Sequence, residues 1–424
     1  MVKYNKNKIH YLGRDKMFEI PITFKEDDYI QLPQLRTFCA EHCLQLNENK
    51  KDLLDRVEKF ANENAENLVL TKKWINDVVR EGTKEILYRK VYIGEQWKDY
   101  RQASENLENY FPSCTQSDIL DYCNTSKCSI VNYSFEKDQK TGAVKKILFT
   151  FSQKLLEKRQ KEKKEEALTV IYPIFIDLYV DEGFVVARYC SKTNVFNWTS
   201  DFTINVESKF NTRKRAIEVT EKLLNKLNID SVSVEKSRAN VQGYLYKLYE
   251  KYSFTPNEIK KVINSQKERI RTFVINYFKD MGIGITSVPE AIKDMEIFFE
   301  KYLATNSDFD DNVFKKDREA YIIRIRTDNI QEMTRIDAQV KIGEPLQCTE
   351  AFYDSKKTMI KNKECDRLNL CYNRNYNREE KRKYFSSHFL VKYDFYKGYG
   401  IVNIKYCAER RDIENVLQAI FEND

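Results

Sequence analysis

The sequence predicts an α+β protein: an N-terminal helical module followed by hairpin-rich α+β domains. Two observations carry that reading. Segments with helical periodicity and segments with β-type alternation occur in separate groups along the chain, which argues against a doubly wound parallel sheet. The chain is also 424 residues long and 13% aromatic, with 27 Tyr and 25 Phe, enough ring surface for several cores.

The elements follow in order. Leu32, Leu35, Phe38 and Cys39 repeat at helical spacing, and Leu53, Leu54, Val57 and Phe60 do so again after Asn47-Glu48-Asn49. Asn67 to Gly82 reads as a further helix, Ile86 to Ile93 as a strand, and Tyr100, Leu107 and Tyr110 mark another helix. Ile130 to Phe135 and Ile147 to Phe151 flank a turn-rich stretch ending in Thr141-Gly142, a hairpin signature. Lys154 to Glu166 reads as a mixed-charge helix bridging two regions.

Thr169 to Cys190 is a second hairpin around Asp181-Glu182-Gly183. Three helices follow, marked by Ala216 to Leu227, Val241 to Tyr252, and a long one carrying Ile259, Val262, Ile263, Ile270, Phe273, Val274, Tyr277 and Phe278. Alternation returns at Tyr321 to Arg326, Ile336 to Ile342, Phe389 to Phe395 and Ile401 to Cys407, before a closing helix from Arg410 to Phe421. These textures divide the chain into residues 1–66, 67–166, 167–310 and 311–424. Asp177 to Cys190 and Asp394 to Cys407 also match without gaps at Asp, Tyr, Gly, Val, Tyr and Cys. That echo reads either as a duplicated unit or as two hairpins converging on the same turn chemistry.

Composition excludes several function classes. Eleven glycines never cluster as a phosphate-cradling loop, which rules out Walker-type and Rossmann-type nucleotide sites. His10, His42 and His388 are isolated, so histidine-based metal or triad chemistry lacks material. The ten cysteines show no CxxC pair and read as free thiols, with Cys39 and Cys43 on the helical core and the protein in a reducing cytoplasm. Met1 to His10 has no apolar stretch, and no run approaches the ~20 apolar residues of a membrane span. No cofactor and no membrane partner are expected. The net charge is +7, which permits a nucleic-acid partner where the cations cluster.

Leu44-Gln-Leu-Asn-Glu-Asn-Lys-Lys-Asp-Leu-Leu-Asp-Arg56-Val57 closes one helix with leucine, crosses a loop to lysine and enters a second helix as acid-Leu-Leu-acid-Arg-apolar. The segment resembles a SAP module. The resemblance implies a helix, extended loop and helix that binds DNA through basic residues near the start of the second helix. It places Lys50 and Arg56 at the family's basic positions and Leu35, Leu44, Leu53 and Leu54 in its core, while Cys43 and Glu48 stand where glycines are usual. Arg36, Lys50, Lys51 and Arg56 are the contacts expected here, although Ile30 to Phe60 carries five bases and five acids. A helical hairpin used for packing or protein contact is the alternative.

From Tyr353 to Phe385 ten Lys or Arg stand against five acids, interleaved with Tyr353, Tyr372, Tyr376, Tyr384 and Phe385. Cations for phosphates and rings for base stacking make a second candidate surface of Lys356, Lys357, Tyr372, Arg374, Tyr376, Arg378, Lys381, Arg382 and Lys383. On Arg335 to Ile342, Asp337, Gln339 and Lys341 alternate onto one face, a loose match to the metal-dependent PD-(D/E)xK nucleases, with an amide at the usual acid position. The function expected is non-catalytic nucleic-acid binding, to duplex DNA, within a larger assembly such as a chromosome-maintenance or phage-defence system, with protein partners or self-association. A degenerate metal-dependent nuclease and a protein-interaction subunit are the rivals.

Overall fold

A computed structural model describes residues 17–26, 29–47, 49–114, 116–120, 126–161, 164–200, 209–282, 285–306, 311–316, 318–329, 334–376 and 383–422. Four helices open the chain: α1 (Ile22–Glu26), α2 (Leu32–Glu41), α3 (Lys50–Glu63) and α4 (Ala65–Gly82). After them come β1 (Glu85–Tyr92), α5 (Tyr100–Tyr110), β2 (Ser129–Lys137), β3 (Val144–Lys161), β4 (Lys164–Tyr179), β5 (Phe184–Tyr189) and β6 (Val195–Asn197). The middle holds α6 (Thr212–Lys226), β7 (Asp230–Ser231), α7 (Val234–Tyr252), α8 (Asn257–Asp280) and α9 (Val288–Asn306). The last part comprises β8 (Ala320–Asn329), β9 (Thr334–Gln339), α10 (Glu350–Asn362), β10 (Arg367–Asn373), β11 (His388–Tyr396), β12 (Tyr399–Ile404) and α11 (Arg410–Phe421).

The α+β class holds, and one antiparallel sheet organises it in the order β2-β3-β4-β5-β1-β12-β11-β10-β8-β9, with β6 on β3 and β7 on β1. Strand periodicity sorts side chains between its two faces. Leu87, Ile147, Phe149, Ile176 and Ile401 point to α5 and α6, while Ile86, Tyr88, Leu370, Tyr393 and Val402 point to α7, α10 and α11. Helices α1 to α4 form a third cluster that reaches the sheet through Phe175 and Ile171 of β4. Phe175 alternates with Ile174 and Ile176, so these helices lie against the face of β4 opposite to α6.

The charged stretch from Lys154 to Glu166 is not a helix. It belongs to the β3–β4 hairpin, whose ladder runs without a break from Lys146↔Tyr179 to Lys161↔Lys164. Its Lys, Glu and Leu content favours a helix locally, yet the β-branched Thr169-Val170-Ile171 run across the ladder commits its partner to extended backbone. Leu155 and Leu156, adjacent in sequence, are both fully buried on opposite faces, an arrangement a sandwiched strand supplies.

The two similar hairpins do flank one strand, since β5 and β12 both pair with β1. Their turns differ. Tyr179 pairs with Phe184 across four residues, whereas Tyr396 pairs with Tyr399 across Lys397 and Gly398, both at positive φ as a two-residue type I′ turn requires. The matches beyond the turn therefore fall out of register by two residues, so the echo in sequence is not an echo in strand pairing.

Candidate nucleic-acid interface

The helix pair at the N-terminus packs as its spacing requires. Leu35, Phe38 and Cys39 of α2 meet Leu53, Leu54 and Val57 of α3 and Ile75, Val78 and Val79 of α4. Helix α2 ends in a Schellman motif, with Leu44 N–H on Cys39 O at 2.7 Å and Cys43 N–H on Ala40 O at 3.3 Å. Cys43 takes the left-handed conformation, φ 54°, that glycine adopts without cost. Cys43 is exposed, contrary to the expectation of a core thiol, while Cys39 is buried and burial pushes its thiol up. Glu48 lies outside the described residues.

The start of α3 is not a bare anion site. Asn49 Oδ1 accepts the Lys51 N–H at 2.9 Å, and Asp52 in the first turn accepts from Asn47 Nδ2 at 2.7 Å. A side-chain cap and a carboxylate already answer the dipole there. Arg56 donates to Gln45 O and ties the loop to its helix. Lys51 projects into solvent, and Arg36 and Lys50 are half-buried.

Four of the nine residues of the C-terminal patch, Lys356, Lys357, Tyr372 and Arg374, are taken up by packing or ion pairs. Arg374 is 3% exposed, bonds Asp412 at 2.9 Å, donates to Ser386 O and Cys407 O at 2.7 and 2.6 Å, and lies over the Phe385 and Phe389 rings. Tyr372 is buried on β10, sharing a 2.7 Å hydrogen bond with the Tyr393 hydroxyl. Tyr353 is buried as well. Lys356 pairs with Glu300 at 2.6 Å and Lys357 with Asp294 at 2.7 Å, holding α10 against α9. These groups are not a stacking and phosphate surface, because their partners come from distant segments that composition does not place. Tyr376 and Lys383 are exposed, whereas Arg378, Lys381 and Arg382 lie outside the described residues.

A different cation cluster does form. Residues Arg215, Lys222 and Lys226 stand at i, i+7 and i+11 on α6 and therefore share one helix face. That face borders a cleft of about 600 Å³, closed by Lys127 and Ser129 at the start of β2, Phe151 and Gln153 of β3, Trp198 after β6, and Phe111 and Ser113 after α5. Four cations line it, and among the described residues no carboxylate does. Glu218 holds Arg215 at 3.2 Å from outside the lining, Lys226 sits 4.5 Å over the Phe111 ring, and Lys154 sits 4.5 Å over Trp198. Lys222 and Lys226 are exposed and have no carboxylate partner among the described residues.

Two lining groups hold unused hydrogen-bonding capacity. Gln153 is 3% exposed; its Nε2 donates to Ser126 O at 3.1 Å, while its Oε1 has no partner among the described residues, and neither has Trp198 Nε1. Cys128 lines the same cleft with its thiol pushed up to about 11 by burial, against the pull of Arg215 and Lys222. The chemistry on offer is anion attraction beside an indole, with one acceptor and one donor in reserve. Sequence reading missed this cluster. The available signal was the spacing on Thr212 to Lys226, which carries five Lys or Arg and two Glu.

A second polar cleft, about 290 Å³, lies on the opposite face of β4, where α4, the sheet and α11 meet. Its charges neutralise one another. Asp177 takes Arg80 and, at 3.2 Å, Arg188; Lys146 reaches Glu136 at 3.2 Å and Glu414 at 3.5 Å; Arg410 pairs with Glu136 and, at 2.9 Å, with Glu414. Glu81 joins the helical module to α11, accepting from Gln34 Nε2 at 2.9 Å and from the Arg410 N–H at 3.0 Å.

Burial pushes the Glu81 carboxyl up to about 7, with Glu409 and Asp77 adding to the rise against the two hydrogen bonds. A carboxyl raised on folding stabilises the fold fully below its unfolded value near 4.5 and loses that contribution as pH climbs through 7. Urea unfolding is expected to show a decline of up to about 2 kcal/mol from this site between pH 5 and pH 8. The decline should shrink in Glu81→Gln; a variant with the parent's full pH slope would show that another group is responsible.

The strand with the nuclease-like spacing is β9, at the sheet edge. Asp337 receives both Arg324 Nε at 2.8 Å and Nη2 at 2.7 Å, while Lys341 lies beyond the strand's end. Arginine pairing holds the Asp337 carboxyl below its usual range. Among the described residues no group of three or more His, Cys, Asp or Glu is placed to hold a metal ion, and no helix is long and apolar enough to cross a membrane. Compared with known proteins, the chain matches no family model and no curated protein significantly.

Proposed function

We propose that the chain is a non-catalytic nucleic-acid-binding component of a larger assembly, and that it grips one strand in the cleft beneath α6. The observation that supports this is the lining itself: Lys127, Arg215, Lys222 and Lys226 gather at one cleft beside Trp198, with Lys222 and Lys226 exposed. Cations track the backbone and a ring receives a base, the combination that binds single strands with little sequence preference. A cleft of about 600 Å³ suits roughly one or two nucleotides of a strand rather than a base-paired duplex. This reading moves the interface from duplex DNA to an unpaired stretch. Lys51, on the SAP-like helix pair, then stands as a separate contact, because that pair and the cleft adjoin opposite faces of β4.

Fluorescence anisotropy with labelled single-stranded DNA, single-stranded RNA and blunt duplex in low salt tests it. Saturable binding of a single strand, tighter than of the duplex, is expected. Absence of binding to every single strand at tens of micromolar protein would overturn the reading.

A further inference from the structure

Helices α8 and α9 form a hairpin whose burial does not match its composition. Of the 24 residues of α8, only Ile259, Ile270 and Val274 are buried. The hairpin's own core is the small cluster of Ile270, Val274 and Val288, with Phe278, Ala291, Ile292 and Met295 partly buried around it. The long helix read from Val262, Phe273 and Tyr277 is present, yet these residues face solvent.

The hairpin has two unlike sides. On one, a groove of about 430 Å³ runs between the helices, lined by Val262, Ile270, Phe273, Met295, Phe299 and Tyr302 among others, with Gln266 and Arg269 its polar members. The other side holds a wider groove of about 940 Å³, in which Ile275, Phe278, Val288, Pro289 and Ile292 are rimmed by Lys267, Glu268, Arg271, Lys279, Lys293 and Glu296, so charge of both signs borders it. Phe273 stacks on Tyr277 at 6.0 Å and Phe298 contacts Phe299 at 5.6 Å, so the rings extend the groove into a continuous apolar face.

We infer that this face pairs with the same face of a second copy of the chain, closing a four-helix bundle about a two-fold axis. Area supports that occupant. Phe273, Tyr277, Phe298, Phe299 and Tyr302 are each 37–58% exposed. At ~150–250 Å² per ring residue, they alone present about 500 Å². Val262 and the groove aliphatics bring the face toward the roughly 800 Å² per partner of a stable interface.

Charge supports it too. Of the α9 acids, Glu290 and Asp294 are engaged by Lys357, Glu296 by Lys267 and Glu300 by Lys356, so they leave little for a highly charged partner to recognise. Gln266 Oε1 already accepts from Arg269 Nη1 at 3.2 Å, a donor and acceptor that two antiparallel copies could exchange across the axis. Two helices with one apolar side are half of a bundle, and a copy supplies the other half with matched length and shape.

Sedimentation velocity of the full chain from about 1 to 100 µM is the test, with dimer expected at twice 50.6 kDa and undiminished in 1 M NaCl. Phe273→Glu with Phe299→Glu should raise the dimer dissociation constant at least 100-fold. Circular dichroism should show an unchanged helix content, because both residues are exposed in one copy. Arg271→Glu, on the charged side, should remain dimeric. A monomeric parent across the whole range, or a folded double variant that dimerises like the parent, would overturn the inference. Should the double variant unfold, Tyr302→Lys carries the same expectation at a single exposed position.

Discussion

Arg374→Ala is expected to destabilise the protein by about 3–5 kcal/mol, because it strands a buried carboxylate. Asp412 is 2% exposed and receives Arg374 Nε at 2.9 Å, while the same guanidinium satisfies the carbonyls of Ser386 and Cys407. Removing the cation leaves one charge and two carbonyls in a dry site, and the Phe385 and Phe389 rings lose the group they pack on. Chemical denaturation measures the loss. Lys383→Ala, which removes an exposed cation from the same segment, should change stability by less than about 0.5 kcal/mol. Equal effects from the two substitutions would mean that Arg374 is not the buried tie described here.

Reversing two cations of the cleft should have the largest effect on binding. Lys222 and Lys226 are exposed near the end of α6, so Lys222→Glu with Lys226→Glu leaves the core residues Val219, Leu223 and Leu224 untouched. Two acids in place of two lysines replace attraction by repulsion at the strand's phosphates, and affinity for single-stranded DNA in low salt should fall by roughly 100-fold or more. The same exchange at Lys51 removes one exposed charge from the opposite side of β4, and a loss of a few-fold at most is expected. Binding by the double variant equal to the parent's would assign the nucleic-acid contact elsewhere.

How much of this was legible in the sequence depended on the range of the interaction. The β2–β3, β4–β5 and β11–β12 hairpins were readable because alternation and turn chemistry are local, as were the apolar faces of α2 and α3. Lys154 to Glu166 was misread because its extended backbone is fixed by the ladder with β4 and not by its own residues. Arg374, in the C-terminal patch, was misread for a related reason: it and Asp412 are 38 residues apart, and composition cannot distinguish a cation paired across that distance from one in water. The cleft needed α6, β2, β3 and the segments after α5 and β6 to converge, which no single window contains. Only the i, i+7, i+11 spacing of its three α6 cations was local.

The central claim is that the α6 cleft holds nucleic-acid phosphates, and the salt dependence of strand binding tests it most directly. For single-stranded DNA the slope of log affinity against log salt changes by about 0.7 for each phosphate contact. Replacing Lys127, Arg215, Lys222 and Lys226 together with alanine should flatten that slope by up to about 2.8 and leave the unfolding transition cooperative. A folded quadruple variant whose slope equals the parent's would contradict the account.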